Sequence, residues 1–205
     1  MSIHSVRSRA RRRRGLAAYT AVEVMMSLAV LAVGVVGVIA TEKVTVASNL
    51  HAKNLSIASH IAEAWMGMLD AEAALWGTDG ALTRTIWLQQ GTSNTSWFRP
   101  NYNGGLMFGP AFDALGNPVT VQNQVNDAKF CVDVRLSPIT ATNNGGGMMR
   151  AEVRVFWLRL ETIIGGTAVG LTNPCALLAT EVDQEDQRRL LNFVYMSGAV
   201  RQVGK

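Results

Sequence analysis

The chain has 205 residues, of which 48% are hydrophobic and 17% are charged, and this length allows one modest domain plus an additional element. Its net charge of +4 comes from the N-terminus alone, because residues 1–18 hold six arginines and no acid, whereas residues 19–205 hold 19 − 6 = 13 basic and 15 acidic residues. A protein that binds nucleic acid carries basic charge on its folded surface, so the composition excludes nucleic acid as the expected partner.

An apolar segment follows the arginines directly. Residues 24–40 carry no charge, and the longer stretch 19–41 carries only Glu23, which is long enough for one helix across a bilayer. A secretory signal peptide has an apolar region of about 7–15 residues that ends at a small-residue cleavage site, whereas here the helical pattern continues. Because arginines hold their side of a membrane segment in the cytoplasm, we expect a cytoplasmic N-terminus.

The second half of this helix is predicted to be amphipathic, from residue 43 to 76. Its apolar residues recur at steps of three and four and are Val44, Ala47, Leu50, Ile57, Ile61, Trp65, Met68 and Leu75. A helix over residues 19–76 would measure about 87 Å, more than the rest of the chain can bury. We therefore expect the first half to protrude toward lipid or other subunits, and a plain single-pass anchor with a helical stalk is the alternative.

Glu23 is the informative residue of the apolar segment. A carboxylate inside an apolar helix costs a few kcal/mol in lipid and is retained for a partner. Cleavage between Ala18 and Tyr19 would create an α-amino group close to Glu23 in sequence. In a filament, that amine would belong to a neighbouring subunit.

The N-terminal pattern resembles the class III signal of type IV prepilins. It consists of an arginine-rich leader, then Tyr19, Thr20 and Glu23, then a long apolar run; Val-Met-Met-Ser-Leu after the acid resembles the minor pilins of the PilV group. The resemblance implies cleavage after Ala18, N-methylation of Tyr19 and an assembly role for Thr20 and Glu23. It covers about 35 residues, and Ala18 departs from the glycine that usually precedes the cut.

The resemblance also implies a domain order and a function. Residues 1–18 would be a cleaved cytoplasmic leader, 19–42 the transmembrane and filament-core half of the helix, 43–76 its amphipathic half and 77–205 a globular head. The protein would be a minor pilin that initiates or caps a type IV pilus, located in the inner membrane before assembly and in the extracellular pilus, at its tip, afterwards. The implied partners are prepilin peptidase, the assembly platform, the major pilin, other minor pilins and a tip adhesin.

Two alternatives remain open on the sequence. A type II secretion pseudopilin, which is periplasmic after assembly, is built in the same way. A membrane-anchored adhesin or other binding module would use the helix only as an anchor.

Residues 77–205 predict an α+β head with a small antiparallel sheet of about four strands. The expected strands are 119–125, 129–136, 149–160 and 191–203, where β-branched and aromatic residues alternate with polar ones. One face should pack on the helix around Ile61, Trp65 and Trp157, with Glu152 and Arg154 pointing outward. Residues 82–90 are either a short strand or a loop, and 91–118 are expected to be irregular.

We expect no enzymatic activity and no cofactor or metal site. All three histidines lie in the leader or the helix, and the acidic residues between 181 and 186 match no calcium loop, so they predict a solvated loop or a first helical turn. Cys131 and Cys175 form either one disulfide or two buried thiols. The aromatic residues of the long loop form either a contact surface or part of the core; they are Trp97, Phe98, Tyr102 and Phe108.

Overall fold

The computed structural model describes residues 20–77, 81–91, 96–102, 109–119, 127–140, 147–159 and 173–202. It divides the chain into an N-terminal unit, Met1–Asn49, and a C-terminal unit, Leu50–Lys205. The leader, Ala18 and Tyr19 lie outside the described residues, as do Phe108 and most of the strand expected at 119–125.

The long helix predicted at the N-terminus is confirmed. Helix α1 runs over Ala21–Ala73, 53 residues, and ends in a turn at residues 74–76. Thr20 begins it, because its carbonyl oxygen accepts from the backbone N–H of Val24 at 3.2 Å and its Oγ1 accepts from the N–H of Glu23 at 3.3 Å. Such side-chain acceptors satisfy N–H groups that have no partner in the first turn of a helix.

Within the described residues, four strands form one antiparallel sheet in the order β1-β2-β3-β4. The strands are β1 (Ala111–Phe112), β2 (Phe130–Thr140), β3 (Met148–Leu158) and β4 (Leu191–Arg201). The predicted strands at 129–136, 149–160 and 191–203 are thus confirmed, with small shifts at their ends. Strand β1 lies inside the stretch expected to be irregular, and its two residues are too few to produce a pattern.

The inner face of the sheet packs on the C-terminal part of α1. Ile61, Trp65 and Trp157 are buried in one core cluster with Val132 and Val153, as predicted. This arrangement of a long helix on an antiparallel sheet is α+β and is consistent with the pilin fold.

The predicted apolar stripe of α1 is only partly correct. Val44, Leu50 and Leu75 are exposed, whereas the helix face buried in the C-terminal unit starts at Ala58 and includes Leu69. The three- and four-residue period identifies one face of a helix, but it does not say how far along that face the sheet extends.

Residues 82–90, which the sequence left open between strand and loop, contain the start of a short helix. Helix α2 covers Trp87–Gly91, and the buried carboxylate of Glu72 accepts hydrogen bonds from the backbone N–H groups of Ile86, Trp87 and Leu88 at 2.8–3.0 Å. Glu72 thereby caps α2 from helix α1. Because Glu72 lies 14 residues before the first N–H group that it caps, the sequence next to α2 contains no capping motif that would predict this contact.

Arg154 points outward from the sheet, as predicted, but it is not exposed, because the outer face of the sheet is also covered. Arg154 is fully buried beneath the segment 173–183, where its guanidinium donates to the carbonyl oxygen of Ala179 and to the carboxylate of Asp183. Cys131 and Cys175 form a disulfide with 5.3 Å between their Cα atoms. This bond ties the same segment to β2.

The acidic stretch near residue 183 forms turns followed by helix α3, Glu185–Arg188, which agrees with the predicted loop or first helical turn. Of the loop aromatics, Phe98 packs against the main core and Trp97 is half-buried on the outer face.

Candidate assembly surface of helix α1

The N-terminal half of α1 exposes its apolar side chains over its whole circumference. All residues from 20 to 53 are exposed, and Met25, Val30 and Val33 keep 70–75% of their surface accessible. The most apolar 18-residue window has a mean hydropathy of 2.5. Exposing such a surface to water is unfavourable. By length and composition, this helix can cross a membrane.

Several polar side chains of this half are satisfied by the helix itself. The hydroxyl groups of Ser27, Thr41 and Thr45 donate to the carbonyl oxygens of Glu23, Val38 and Thr41 at 2.8–2.9 Å. A hydroxyl that returns its hydrogen bond to its own helix needs no water. The hydrogen bond lowers the cost of placing these hydroxyl groups in an apolar environment.

Glu23 differs from these hydroxyl-bearing residues. It lies in the first turn of α1, where its backbone N–H contacts Thr20, and its carboxylate makes no hydrogen bond or ion pair with any residue that the structure describes. The positive end of the helix dipole stabilises an acid at this position, but only by a fraction of what an ion pair would supply in a low-dielectric environment. The carboxylate of Glu23 can therefore pair with a cation that the described residues do not supply.

The structure brings together part of the predicted processing and assembly set. Thr20 and Glu23 share the first turn of α1, whereas Ala18 and Tyr19 lie outside the described residues. Cys131 and Cys175 are joined in the other unit.

Two glycines of the apolar half leave room on its surface. A Cβ atom added at Gly34 or Gly37 would meet nothing within 4 Å. In lipid, glycines permit two helix backbones to approach each other closely. Their positions on the exposed surface are compatible with packing against further helices.

Sequence reasoning missed a buried charge cluster on the outer face of the sheet. Asp133 is fully buried and accepts from Nε of Arg99 at 3.0 Å and from Nη2 of Arg154 at 2.9 Å. Nη1 of Arg99 also donates to the carbonyl oxygens of Cys175 and Leu177. The cluster holds the disulfide-bearing segment against the sheet.

No group of three or more metal-ligating side chains occurs among the described residues. The acids near residue 183 are used separately: Asp183 pairs with Arg154, Glu185 pairs with Arg189, and Glu181 accepts from the N–H of Leu178 at 2.9 Å.

In the comparisons with known proteins, no family model, no curated protein and no solved structure matches this chain. Within the chain itself, the exposed apolar half of α1 and the carboxylate of Glu23 are the features that bear most directly on function.

Proposed function

We propose that this protein is a minor pilin, a subunit of a type IV filament that is assembled from the membrane through its N-terminal helix. Prepilin peptidase removes residues 1–18 between Ala18 and Tyr19 and methylates the new N-terminus. The observation that carries this proposal is a helix exposed and apolar from residue 24 to 40, with one unpaired carboxylate, Glu23, in its first turn among the described residues.

The energetic cost of Glu23 favours a filament over a simple anchor. A membrane anchor gains nothing from a carboxylate that costs a few kcal/mol in lipid. In a filament, the methylated amine of a neighbouring subunit supplies the opposite charge, and an ion pair away from water is strong when both partners are present. The acid thus makes assembly depend on a neighbour that has been processed.

The apolar half of α1 has a role both before and after assembly of the filament. Before assembly it holds the subunit in the inner membrane with its N-terminus in the cytoplasm. After assembly its exposed surface is covered by the helices of the major pilin and of other minor pilins. The head, residues 77–205, then faces outward, and the subunit starts or caps the filament at its tip.

The proposal is tested by Glu23→Gln, which keeps the size of the side chain and removes its charge. The matched control is Glu42→Gln, at the other acid of the exposed half of the helix. The tagged full-length chain is expressed in cells that assemble the filament, and its amount is compared between sheared surface filaments and membranes.

We expect Glu23→Gln to disappear from the filaments but to remain in the membrane with the Cys131–Cys175 disulfide formed, while Glu42→Gln assembles normally. Assembly of Glu23→Gln at the wild-type level would refute the proposal. Recovery of the wild-type protein from the periplasm, with none in surface filaments, would assign it to a secretion system instead.

A further inference from the structure

The outer face of the sheet, opposite α1, changes character along its strands. Near the disulfide, Cys131 and Phe156 are buried on this face, whereas two rows of facing residues further along β2, at Arg135, the face opens. There Arg135, Glu152 and Ser197 lie opposite one another across β2, β3 and β4, and Arg150 follows in the next row. Ser197 is small, so this part of the face leaves space above the strands.

That space is a recess of about 370 Å³ with an aromatic wall. The rings of Trp97 and Tyr195 meet with 6.1 Å between their centroids, and the guanidinium of Arg135 lies 4.8 Å from the centroid of the Trp97 ring. Tyr195 keeps 52% of its surface exposed, although an aromatic ring normally gains by burial. The recess is at the small end of the range for ligand pockets, a size that suits one ring.

The charges of the recess do not cancel. The carboxylate of Glu152 accepts from Nε of Arg135 at 2.5 Å and from Nη2 of Arg150 at 2.9 Å. The hydrogen bond from Arg135 lowers the pKa of Glu152, and the same bond raises the pKa of Arg135. Among the described residues that line the recess, two arginines therefore face one carboxylate, and the side chain of Arg150 is 57% exposed.

A purely structural role explains the ion pairs but not the whole recess. Partly exposed ion pairs stabilise a fold by about 1 kcal/mol or less, and they require neither an excess cation nor an exposed aromatic ring beside them. Arginine binds a carboxylate through two parallel hydrogen bonds, while an aromatic ring packs against the apolar face of a sugar ring. A neutral sugar would not use the excess positive charge, and a short acidic side chain would not cover Tyr195.

We propose that this recess binds a carboxylate-bearing sugar residue of an acidic polysaccharide, with the carboxylate on Arg150 and the sugar ring against Tyr195. Arg135 and Glu152 position the guanidinium of Arg150 and offer hydrogen bonds to the sugar hydroxyl groups. The site lies within the C-terminal unit, so it does not depend on filament assembly.

The test uses the full-length protein in neutral-detergent micelles and a short oligogalacturonate as the probe. Binding is measured by titration calorimetry and by the shift of the Trp97 indole resonance. The variants are Arg150→Gln, Tyr195→Leu and the matched control Arg189→Gln, which removes an exposed arginine from an ion pair elsewhere on the surface. A neutral galactose oligomer and a short polyglutamate peptide complete the set of ligands.

We expect oligogalacturonate to shift the Trp97 resonance and to bind roughly tenfold or more weakly to Arg150→Gln. Tyr195→Leu should also bind it more weakly, Arg189→Gln should bind it as the wild type does, and the neutral oligomer should bind poorly. Absence of binding, or an equal loss in Arg189→Gln, would overturn the proposal. Binding of polyglutamate as tightly as oligogalacturonate would also overturn it, because the recess would then recognise acidic peptides.

Discussion

The two units of the chain treat similar side chains in opposite ways. In the N-terminal unit, Val30 and Val33 keep about three quarters of their surface exposed, whereas in the C-terminal unit Val132 and Val153 keep none. Burying one such side chain is worth about 1.5–3 kcal/mol. The C-terminal unit obtains this free energy from its own fold, while residues 20–49 do not obtain it from the part of the chain that the structure describes.

The two units also differ in whether their carboxylates have partners. Asp133 is held by Arg99 and Arg154 within its own unit, whereas Glu23 has no partner among the described residues. The C-terminal unit supplies partners for its buried carboxylates, Asp133 and Glu72, from its own residues, whereas the described residues supply none for the carboxylate of Glu23. We therefore interpret the missing partner of Glu23 as one that another subunit supplies.

The largest effect on stability is expected from a substitution in the buried charge cluster of the C-terminal unit. Replacing Asp133 by Ala leaves the buried guanidinium of Arg154 without its principal acceptor, which should cost about 3–5 kcal/mol of folding free energy. Denaturant unfolding of the full-length protein in micelles, followed by tryptophan fluorescence, measures this loss. Asp186→Ala, at an exposed acid, should change stability by less than about 0.5 kcal/mol, and equal losses in both variants would show that the cluster is not stabilising.

A smaller effect on stability is expected from alanine substitutions at two glycines, one in each unit. A Cβ atom at Gly147 would lie 2.5 Å from Cζ2 of Trp76, which is buried, so Gly147→Ala should cost about 1–3 kcal/mol through overpacking. Gly34→Ala should cost nothing, because its Cβ meets no atom within 4 Å and alanine favours helix by about 1 kcal/mol. The midpoints of thermal unfolding report both values. A loss at Gly34 as large as that at Gly147 would contradict the division into an open and a packed unit.

Much of the fold is predictable from the sequence because its signals are local. The uncharged run of residues 24–40 predicts the exposed helix, and alternation predicts β2, β3 and β4. The cover on the outer face was missed, since alternation distinguishes two faces of a strand without telling whether the second is covered. One signal was present: Cys131 and Phe156 fall on the supposedly polar face, where solvent-facing positions rarely carry such residues.

The candidate sites also differ in whether local sequence is enough to find them. Glu23 is found from one acid in an apolar run, so a sequence window is enough. The recess around Arg150 requires the register of three strands and the position of Trp97, which lies in a distant loop. The cap that Glu72 provides for α2 likewise depends on tertiary packing and could not have been predicted from the residues around it.

The central claim is that the apolar half of α1 belongs to a processed subunit that pairs Glu23 with a neighbour's new N-terminus. The most direct measurement is the intact N-terminal mass of the mature protein isolated from cells. We predict a chain that begins at Tyr19 and carries one methyl group on its α-amine. A mature chain that keeps the arginines of residues 1–18, or that begins at Tyr19 without a methyl group, would contradict the account.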